Sequence, residues 1–437
     1  MKIELAYGKK GLEFEMPSQA KPVVIRKPPF VIPEDSNQII REALENPIGV
    51  PPLETLASKA SSACILISSA CILICDITRP VPNGLFLRPL VEKLVEGGIA
   101  LEHITVLVAT GLHRPNLGDE LREVVGDSWI IEKLKVENHD ARDDEQHLNL
   151  GTTGKRGTPV LLDRRFVEAD LKIATGLVEP HFMAGYSGGR KVIAPGVAHH
   201  TTIRTFHNAR FMEDPLATSC NLEQNPLHEE QLEIVGMLQG PVLGLNTVID
   251  EHRQLAYVSF GEIIESHLDA VNYVRGKVEI PVGRKFRTVV TSAAGYPLDK
   301  TYYQTVKGMV TPLDILEEGG RLIIASECSE GFGSDAFRNA QKSLVEQGPD
   351  SFLEGISRKP MADIDEWQTE MQLKPMRVGS VQLYTTGLNE DEKSITGVDS
   401  ISSISQAIST SIAEQDSPDV AVIPEGPYLV PFVQSPM

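Results

Sequence analysis

Two stretches of this chain alternate short apolar segments of strand length with amphipathic segments of helix length. In the first, an apolar segment that ends at Cys75 precedes a predicted helix over Gly84–Glu96 and a predicted strand over His103–Ala109. The second begins near Pro281 and continues with a predicted strand at Thr288–Val290. Strands that alternate with helices in this way are typical of α/β domains with a mostly parallel sheet. We therefore predict two α/β domains with mostly parallel sheets.

Further segments extend this pattern and suggest where the domains begin and end. The 437 residues suffice for two or three domains of roughly 150 residues each. We predict an N-terminal domain over 1–275 and a C-terminal domain over 280–414, with a hinge at Gly276–Lys285 and with 415–437 open to either domain, including a return to the first. The other predicted elements are an N-terminal hairpin (Lys2–Gly8 with Leu12–Met16), strands at Pro159–Leu162, Leu171–Ala174, Arg321–Ala325, Val381–Tyr384, Asp419–Ile423 and Tyr428–Val433, and helices near Lys300–Met309 and Asp335–Glu346.

Charge and composition exclude several classes of partner. The chain carries 41 lysines and arginines against 60 aspartates and glutamates, a formal net charge of −19, which disfavours binding to nucleic acid or to an anionic membrane. Five sparse cysteines and a first segment without the apolar core of a secretory signal predict a reducing, cytoplasmic setting. The most apolar stretch, Ala63–Cys75, is too short to span a bilayer.

That apolar stretch contains a tandem copy, because Ser61–Ile67 and Ser68–Ile74 both read SSACILI. Seven is an odd number of residues, so two copies in one strand would present their side chains to opposite faces. We predict that one copy forms strand and the other leads into it, without a functional meaning.

Residues with metal-binding and anion-binding chemistry concentrate between positions 181 and 210. Small residues in the sequence GYSGGRK let a backbone approach a phosphate, and basic side chains supply charge. Neutral imidazole suits nickel, zinc or copper. A basic surface loop with solvated histidines is the alternative. The residues concerned are His181, His199, His200, His207, Arg190, Lys191, Arg204 and Arg210.

Three further positions follow predicted strands or begin a predicted helix. Asp76 and Arg79 come directly after the strand that ends at Cys75, where open α/β sheets expose their chemistry, although Asp76 or Thr78 could simply cap a helix. His113 follows the next strand and a glycine, so it is a candidate general base or a solvated loop histidine. Gln304 and Lys307 share a helix face and could bind a carboxylate or remain solvated.

Taken together, these residues resemble the nickel-dependent lactate racemase family. The matching text is DITRPVP at 76–82, ATGLHRP at 109–115, GLVEPHFMAGYSGGRK at 176–191, His207-Asn208, and YQTVKG at 303–308, in order and over nearly the whole chain. The resemblance implies an isomerase with two α/β domains and an active site in the cleft between them. It also implies a small 2-hydroxy acid substrate and cofactor-maturation proteins as partners.

The family's cofactor is a nickel-pincer nucleotide, a pyridinium-3-thioamide-5-thiocarboxylic acid mononucleotide that binds nickel through one carbon and two sulfurs. The resemblance implies that Lys191 holds this cofactor covalently and that His207 is the nickel ligand. It assigns acid/base roles to His113 and His181. The remaining implied contacts are Asp76, Ile77, Thr78 and Arg79 to the cofactor, and Arg79, Tyr303, Gln304 and Lys307 to the substrate.

The chemistry of a 2-hydroxy acid agrees with this assignment. Its C2–H is barely acidic, so loss of hydride from C2 with loss of the hydroxyl proton is easier than direct deprotonation, and imidazole suits that proton near pH 7. We expect interconversion of D- and L-lactate by hydride transfer. The alternatives are racemisation or epimerisation of another 2-hydroxy acid, such as malate or a larger aliphatic or sugar acid, and, more remotely, non-catalytic binding of nickel or a nucleotide.

Overall fold

The computed structural model describes residues 1–58 and 68–434, which divide into two compact units. The first unit comprises Pro29–Phe206 and Asn221–Gly276, and the second comprises Met1–Pro28, His207–Cys220 and Lys277–Met437. The first copy of the SSACILI repeat lies outside the described residues.

The strands and helices follow one another along the whole chain. The strands are β1 (Lys2–Leu5), β2 (Leu12–Glu15), β3 (Lys21–Val24), β4 (Ala70–Cys75), β5 (Ile104–Ala109), β6 (Lys135–Asn138), β7 (His147–Thr152), β8 (Pro159–Asp163), β9 (Leu171–Leu177), β10 (Pro180–His181), β11 (Gly185–Tyr186), β12 (Val242–Ile249), β13 (Leu255–Glu262), β14 (Glu279–Val282), β15 (Phe286–Ser292), β16 (Leu316–Ala325), β17 (Gly379–Tyr384), β18 (Asp399–Ile401), β19 (Asp419–Ile423) and β20 (Val430–Val433). The α-helices are α1 (Ser36–Glu45), α2 (Leu53–Ser58), α3 (Asn83–Glu96), α4 (Asp119–Val125), α5 (Ser128–Lys133), α6 (Arg164–Val167), α7 (Arg190–Ile193), α8 (His200–Phe206), α9 (Ala209–Met212), α10 (Pro226–Gly236), α11 (Ile263–Val278), α12 (Tyr302–Val310), α13 (Asp335–Gln347), α14 (Pro349–Ser357), α15 (Glu366–Val378), α16 (Glu390–Ser394) and α17 (Ile404–Gln415). Short 3-10 helices lie at Leu101–His103, Asp144–Gln146, Leu313–Ile315 and Gly426–Tyr428.

The first unit is built on a six-stranded sheet in the order β13-β12-β9-β4-β5-β6. Its pairs are parallel except for the edge pair of β12 with β13. Strands β4 and β9 are buried along almost their whole length because both faces of a parallel sheet are covered. Helix α3 buries Phe86, Leu87, Leu90 and Leu94 in the same core as β4. This arrangement brings the carboxyl ends of β4, β5 and β9 to one edge.

The second unit contains a fully parallel six-stranded sheet in the order β18-β17-β16-β15-β19-β3. The hairpin of β1 and β2 packs beside it, where Ile3 and Leu5 share a core with Ile404 and Ile408 of α17. The α/β class, the parallel sheets and the N-terminal hairpin predicted from the sequence are therefore confirmed.

The observed division of the chain differs from the predicted domain boundaries in two places. Residues 1–28 belong to the second unit because β3 pairs with β19 at the edge of its sheet. Residues 415–434, whose placement the sequence left open, belong to the second unit, since β19 lies between β15 and β3. Residues 207–220 also belong to the second unit, and the predicted hinge contains β14.

One predicted strand occupies an unexpected place, because β8 pairs antiparallel with β7 in a separate two-stranded sheet. The second copy of the SSACILI repeat supplies most of β4. Within the described part of the chain, no helix is both long enough and apolar enough to cross a membrane.

Candidate active site

Three polar segments meet at the carboxyl edge of the first unit's sheet. Asp76 follows β4, His113 lies in the loop after β5, and Glu179 follows β9. Because β4 pairs in parallel with both β5 and β9, their carboxyl ends lie side by side. Ligand sites of open α/β sheets form at such an edge, so the three segments define the candidate active site of this unit.

The shortest contact at this edge joins an aspartate to a histidine. The Oδ2 atom of Asp76 lies 2.6 Å from Nδ1 of His113, and its Oδ1 accepts a 2.6 Å hydrogen bond from the Thr78 hydroxyl. Burial of Asp76 alone would raise the pKa of its carboxyl group, but the hydrogen bond and charge of His113 and the bonds from Thr78 hold that pKa below its usual value. Asp76 is therefore ionised at neutral pH and fixed in orientation.

An ionised carboxylate only accepts hydrogen bonds, so Nδ1 of His113 must be the donor. In the neutral ring the lone pair is then on Nε2. The side chain of His113 is 58% exposed, whereas that of Asp76 is 6% exposed. This geometry presents a proton acceptor to solvent on a ring oriented by a buried carboxylate.

Replacing Asp76 with Asn should reduce stability and change how stability depends on pH. The pKa of Asp76 is lower in the folded chain than its unfolded value of about 3.9, so its contribution is present above that pH and is lost as the pH falls through the folded value. We expect Asp76→Asn to lower the free energy of unfolding by about 1 kcal/mol at pH 7. The loss is no larger because the partner histidine is exposed to solvent. Urea unfolding measured between neutral and acidic pH should show that the free energy of unfolding falls less with decreasing pH in the variant than in wild type. Asp119→Asn, at a 97% exposed carboxylate, is the control, and equal pH profiles for Asp76→Asn and wild type would contradict the assignment.

Two neighbours complete this edge. Arg79 forms an ion pair with Glu179, and both side chains are about one-quarter exposed. The backbone N–H of Ile77 donates to Oδ1 of the buried Asn116 at 3.3 Å. The predicted residue Asp76 thus contacts both Thr78 and His113, while Ile77 and Arg79 have partners of their own.

His181 lies on β10 and is 8% exposed. Its Nδ1 accepts from the backbone N–H groups of Met183 and Ala184 at 3.4 and 3.2 Å. A neutral ring with an acceptor Nδ1 carries its proton on Nε2. His181 and His113 are therefore held in opposite tautomers.

The GYSGGRK loop is tightly packed around its glycines. Gly188 and Gly189 have φ values of +78° and +50°, and a Cβ on Gly189 would lie 2.8 Å from the ring of His267. The buried amide of Asn246 fixes the loop by accepting from the N–H of Gly189 at 3.0 Å. Lys191 is the second residue of the short helix α7 and is only half-buried.

Arg190 has a structural position that its sequence context did not suggest. It is 2% exposed and donates to the carbonyls of Tyr186 and Ala184, both at 2.9 Å. Burial lowers the pKa of Arg190 to about 9. Its guanidinium group therefore holds the loop from inside, and Lys191 beside it is the more accessible cation.

The remaining predicted site residues lie in the second unit. His207 is buried there, with its ring centroid 5.1 Å from that of Trp367 on α15. The amide of the adjacent Asn208 donates to the carbonyl of Pro360 at 2.7 Å and accepts from the N–H of Arg210, so it caps α9. These contacts anchor the segment that carries His207.

Helix α12 carries Tyr303, Gln304 and Lys307, and Thr301 caps its first turn. The carbonyl of Tyr303 accepts from the amide of Gln368 at 2.6 Å, and burial raises the pKa of the Tyr303 hydroxyl. Oε1 of Gln304 is buried and has no hydrogen-bond partner among the described residues. A buried amide oxygen without a partner fits a ligand that brings its own donor.

Comparison with known families supplies the decisive observation. Residues 7–219 match the lactate racemase N-terminal domain, and residues 284–430 match the lactate racemase C-terminal domain.

The chain belongs to the lactate racemase family.

This is a family of isomerases, and two relatives match along nearly their full lengths. The lactate racemase of Thermoanaerobacterium thermosaccharolyticum is 30% identical, with 97% of each chain covered. The lactate racemase of Lactiplantibacillus plantarum is 27% identical, with 97% of this chain and 98% of the relative covered.

Solved structures agree with the fold. The lactate racemase apoprotein from T. thermosaccharolyticum superposes with a TM-score of 0.89 at 29% identity and covers 100% of both chains. A Thermotoga maritima protein superposes with a TM-score of 0.61 at 18% identity, over 88% of this chain and 98% of that one, and shares the fold.

Four polar or aromatic neighbours were not singled out from the sequence. Glu179 lies inside the GLVEPHF segment of the motif at 176–191, so the sequence could have drawn attention to it as a partner of Arg79. No motif indicates the contacts of Asn116, Asn246 and Trp367, because these residues lie far along the chain from the groups they contact. Their roles depend on strand pairing and helix packing that a linear motif does not contain.

Proposed function

We propose that this chain interconverts D- and L-lactate, using a nickel-pincer nucleotide and the acid/base pair His113 and His181. The observation that carries the proposal is the similarity to two lactate racemases over 97% of this chain. The Asp76–His113 contact supports it, because it places an oriented proton acceptor at a sheet edge typical of α/β active sites.

The reaction requires movement of the hydroxyl proton of lactate. His113 can accept this proton at Nε2, since its Nδ1 is committed to Asp76. The resulting imidazolium would be stabilised by the buried carboxylate that already accepts from Nδ1. Asp76 thus acts through His113 as a positioning residue.

His181 starts from the other tautomer. With backbone N–H groups of Met183 and Ala184 at Nδ1, its Nε2–H is placed to donate a hydrogen bond to an oxygen. To accept a proton at Nε2, the ring must carry its proton on Nδ1 instead, and the two backbone contacts must lengthen. The two histidines therefore serve the two enantiomers from unequal resting states.

The residues present fit a cofactor that carries a phosphate and is attached through an amine. Lys191 offers a primary amine at the end of a loop in which side chains larger than glycine would clash at Gly188 and Gly189. His207 would hold the nickel, and an imidazole oriented by a neighbouring ring is a suitable ligand. When bound, the nickel-pincer nucleotide would accept and return the hydride of C2.

Four groups are proposed to bind the carboxylate and the hydroxyl group of the substrate. Lys307 supplies positive charge, and Gln304 lies three residues earlier on the same face of α12. Tyr303 supplies a hydroxyl that stays protonated because burial raises its pKa. Arg79 contributes charge that is partly compensated by Glu179.

We place the reaction in the cytoplasm. Support comes from Cys71, Cys75 and Cys328, which form no disulfide among the described residues, as expected in a reducing compartment. The cofactor-maturation proteins proposed as partners would have to be present in the same compartment.

The test is conversion of each lactate enantiomer by chain produced together with cofactor-maturation proteins. Circular dichroism should show both D- and L-lactate approaching the same racemic mixture. The same protein should be offered malate and larger 2-hydroxy acids. Turnover of one of these with none of lactate would overturn the substrate assignment, and no turnover of any would overturn the function.

A further inference from the structure

A second group of histidines lies in the first unit and takes no part in the proposed chemistry. His139, His147, His199 and His200 form a chain of neighbouring rings, with centroid distances of 5.2, 4.9 and 4.1 Å between successive pairs. Three of them are almost fully buried, and His200 is half-buried. Asp144 lies at the open end of this group with its side chain 88% exposed.

Asp144 and two of these histidines bring possible ligand atoms close together. One ligand atom from each of Asp144, His199 and His200 lies within 4.8 Å of the others. Nε2 of His199 and Oδ1 of Asp144 are 2.9 Å apart. Two imidazole nitrogens and one carboxylate oxygen are a common ligand set for zinc in proteins, with a fourth position left for water.

We propose that Asp144, His199 and His200 bind a divalent transition-metal ion, with zinc as the best-suited ion. The proposal does not depend on the proposed racemase function. These ligands differ from the residues assigned to the cofactor and substrate, so the site is additional to theirs.

Packing around the site holds one of its histidines in place. His147 packs edge-on against His199 and is held by its Nδ1–H, which donates to the carbonyl of Asp143 at 2.7 Å.

Binding has one local cost. Nδ1 of His199 accepts from the N–H of Thr201, so Nε2 carries the proton that is shared with Asp144. A cation on Nε2 requires the other tautomer, with the proton on Nδ1, and this tautomer breaks the hydrogen bond from Thr201. That hydrogen bond is long, at 3.3 Å, so breaking it costs little against the gain of a metal–nitrogen bond.

The site would connect two segments that are distant in sequence. Asp144 lies in the 3-10 helix Asp144–Gln146, and His199 and His200 lie at the start of α8. The backbone N–H of His200 already donates to the carbonyl of Ala141 at 2.8 Å. A bound ion would strengthen this connection, and a ligand that binds only the folded state raises stability.

The experiment uses the full chain, made without maturation proteins and freed of metal with a chelator. Cobalt(II) alone is the first probe, because its visible absorption reports tetrahedral coordination, and zinc then displaces it. We expect one ion of cobalt at this site and a higher melting temperature with zinc. Loss of a residue that only hydrogen-bonds to a metal ligand weakens metal binding by about 10- to 100-fold. Asp144→Asn and His200→Asn each remove a ligand itself, so each should weaken cobalt binding at least about tenfold.

Matched variants separate this site from other ligands. Glu145→Gln changes the next exposed carboxylate, and His252→Asn changes an exposed histidine elsewhere in the unit. Both should bind cobalt as wild type does, and His207→Asn should keep this signal even if it loses another metal. Retention of wild-type affinity and spectrum in Asp144→Asn and His200→Asn would overturn the proposal, as would loss of the signal in His207→Asn alone. Asp144 is so exposed that its variant should melt like wild type without metal, which keeps the test interpretable.

Discussion

Replacing His113 with Gln should lower the rate of lactate racemisation by about 10²- to 10⁴-fold, the usual contribution of a positioned general acid or base. The reason is geometric. His113 directs Nε2 outward because Nδ1 is bound to Asp76 at 2.6 Å, and glutamine has no atom that can take up a proton near pH 7. The effect should fall on kcat, with KM changed little.

Initial rates from each enantiomer, measured by circular dichroism, provide the test. His252→Gln, at an exposed histidine in the same unit, is the control and should match wild type. Because His113→Gln also removes the hydrogen bond to the buried Asp76, we expect it to lower the free energy of unfolding by about 1 kcal/mol, as for Asp76→Asn, and the variant should remain folded. A variant that keeps more than a tenth of the wild-type kcat from both enantiomers would show that another group takes the proton.

The kinetics of an Asp76 variant provide a second readout of the same pair. If Asp76 acts through His113, Asp76→Asn should lower kcat with little change in KM, because the ring of His113 loses the carboxylate that orients it. A merely structural role of Asp76 would lower the amount of folded enzyme and leave the kcat of the remaining enzyme unchanged.

Local sequence patterns were sufficient for most of the fold. The apolar run before Cys75 and the amphipathic helix α3 are local signals, and both elements appear within a residue of their predicted ends. Membership in a sheet is not local. The pairing of β3 with β19 joins residues near opposite ends of the chain, and the sequence of either strand does not indicate which strand it pairs with.

The same distinction applies to the site. Asp76 and His113 could be expected to meet because each follows a strand and their strands, β4 and β5, are neighbours. The tautomers could not be expected, since they depend on backbone N–H groups beside His181 and on which oxygen of Asp76 faces the ring. The burial of Arg190 could not be expected either, because the sequence of a glycine-rich loop does not indicate whether a basic side chain in it points inward.

Replacing Lys191 with Arg should remove the attached cofactor and reduce racemisation to the uncatalysed background. Arginine keeps the positive charge but lacks the primary amine from which a thioamide can form, so charge and covalent attachment are separated. Lys191 is only half-buried at the start of α7, whereas Arg190 beside it is buried, so a change at Lys191 should disturb folding little.

Intact-mass spectra of chains made with the maturation proteins, together with nickel analysis, provide the measurement. Wild type and Lys155→Arg, a control at a 59% exposed lysine, should carry the same added mass, and Lys191→Arg should carry none. An unmodified wild-type chain that still racemises lactate would show that the cofactor is held without a covalent bond, and an adduct on Lys191→Arg would place the attachment at another residue. Because Lys191→Arg preserves the charge that a phosphate would meet, loss of both adduct and activity would assign the amine itself, rather than the basic character of the loop, to the cofactor.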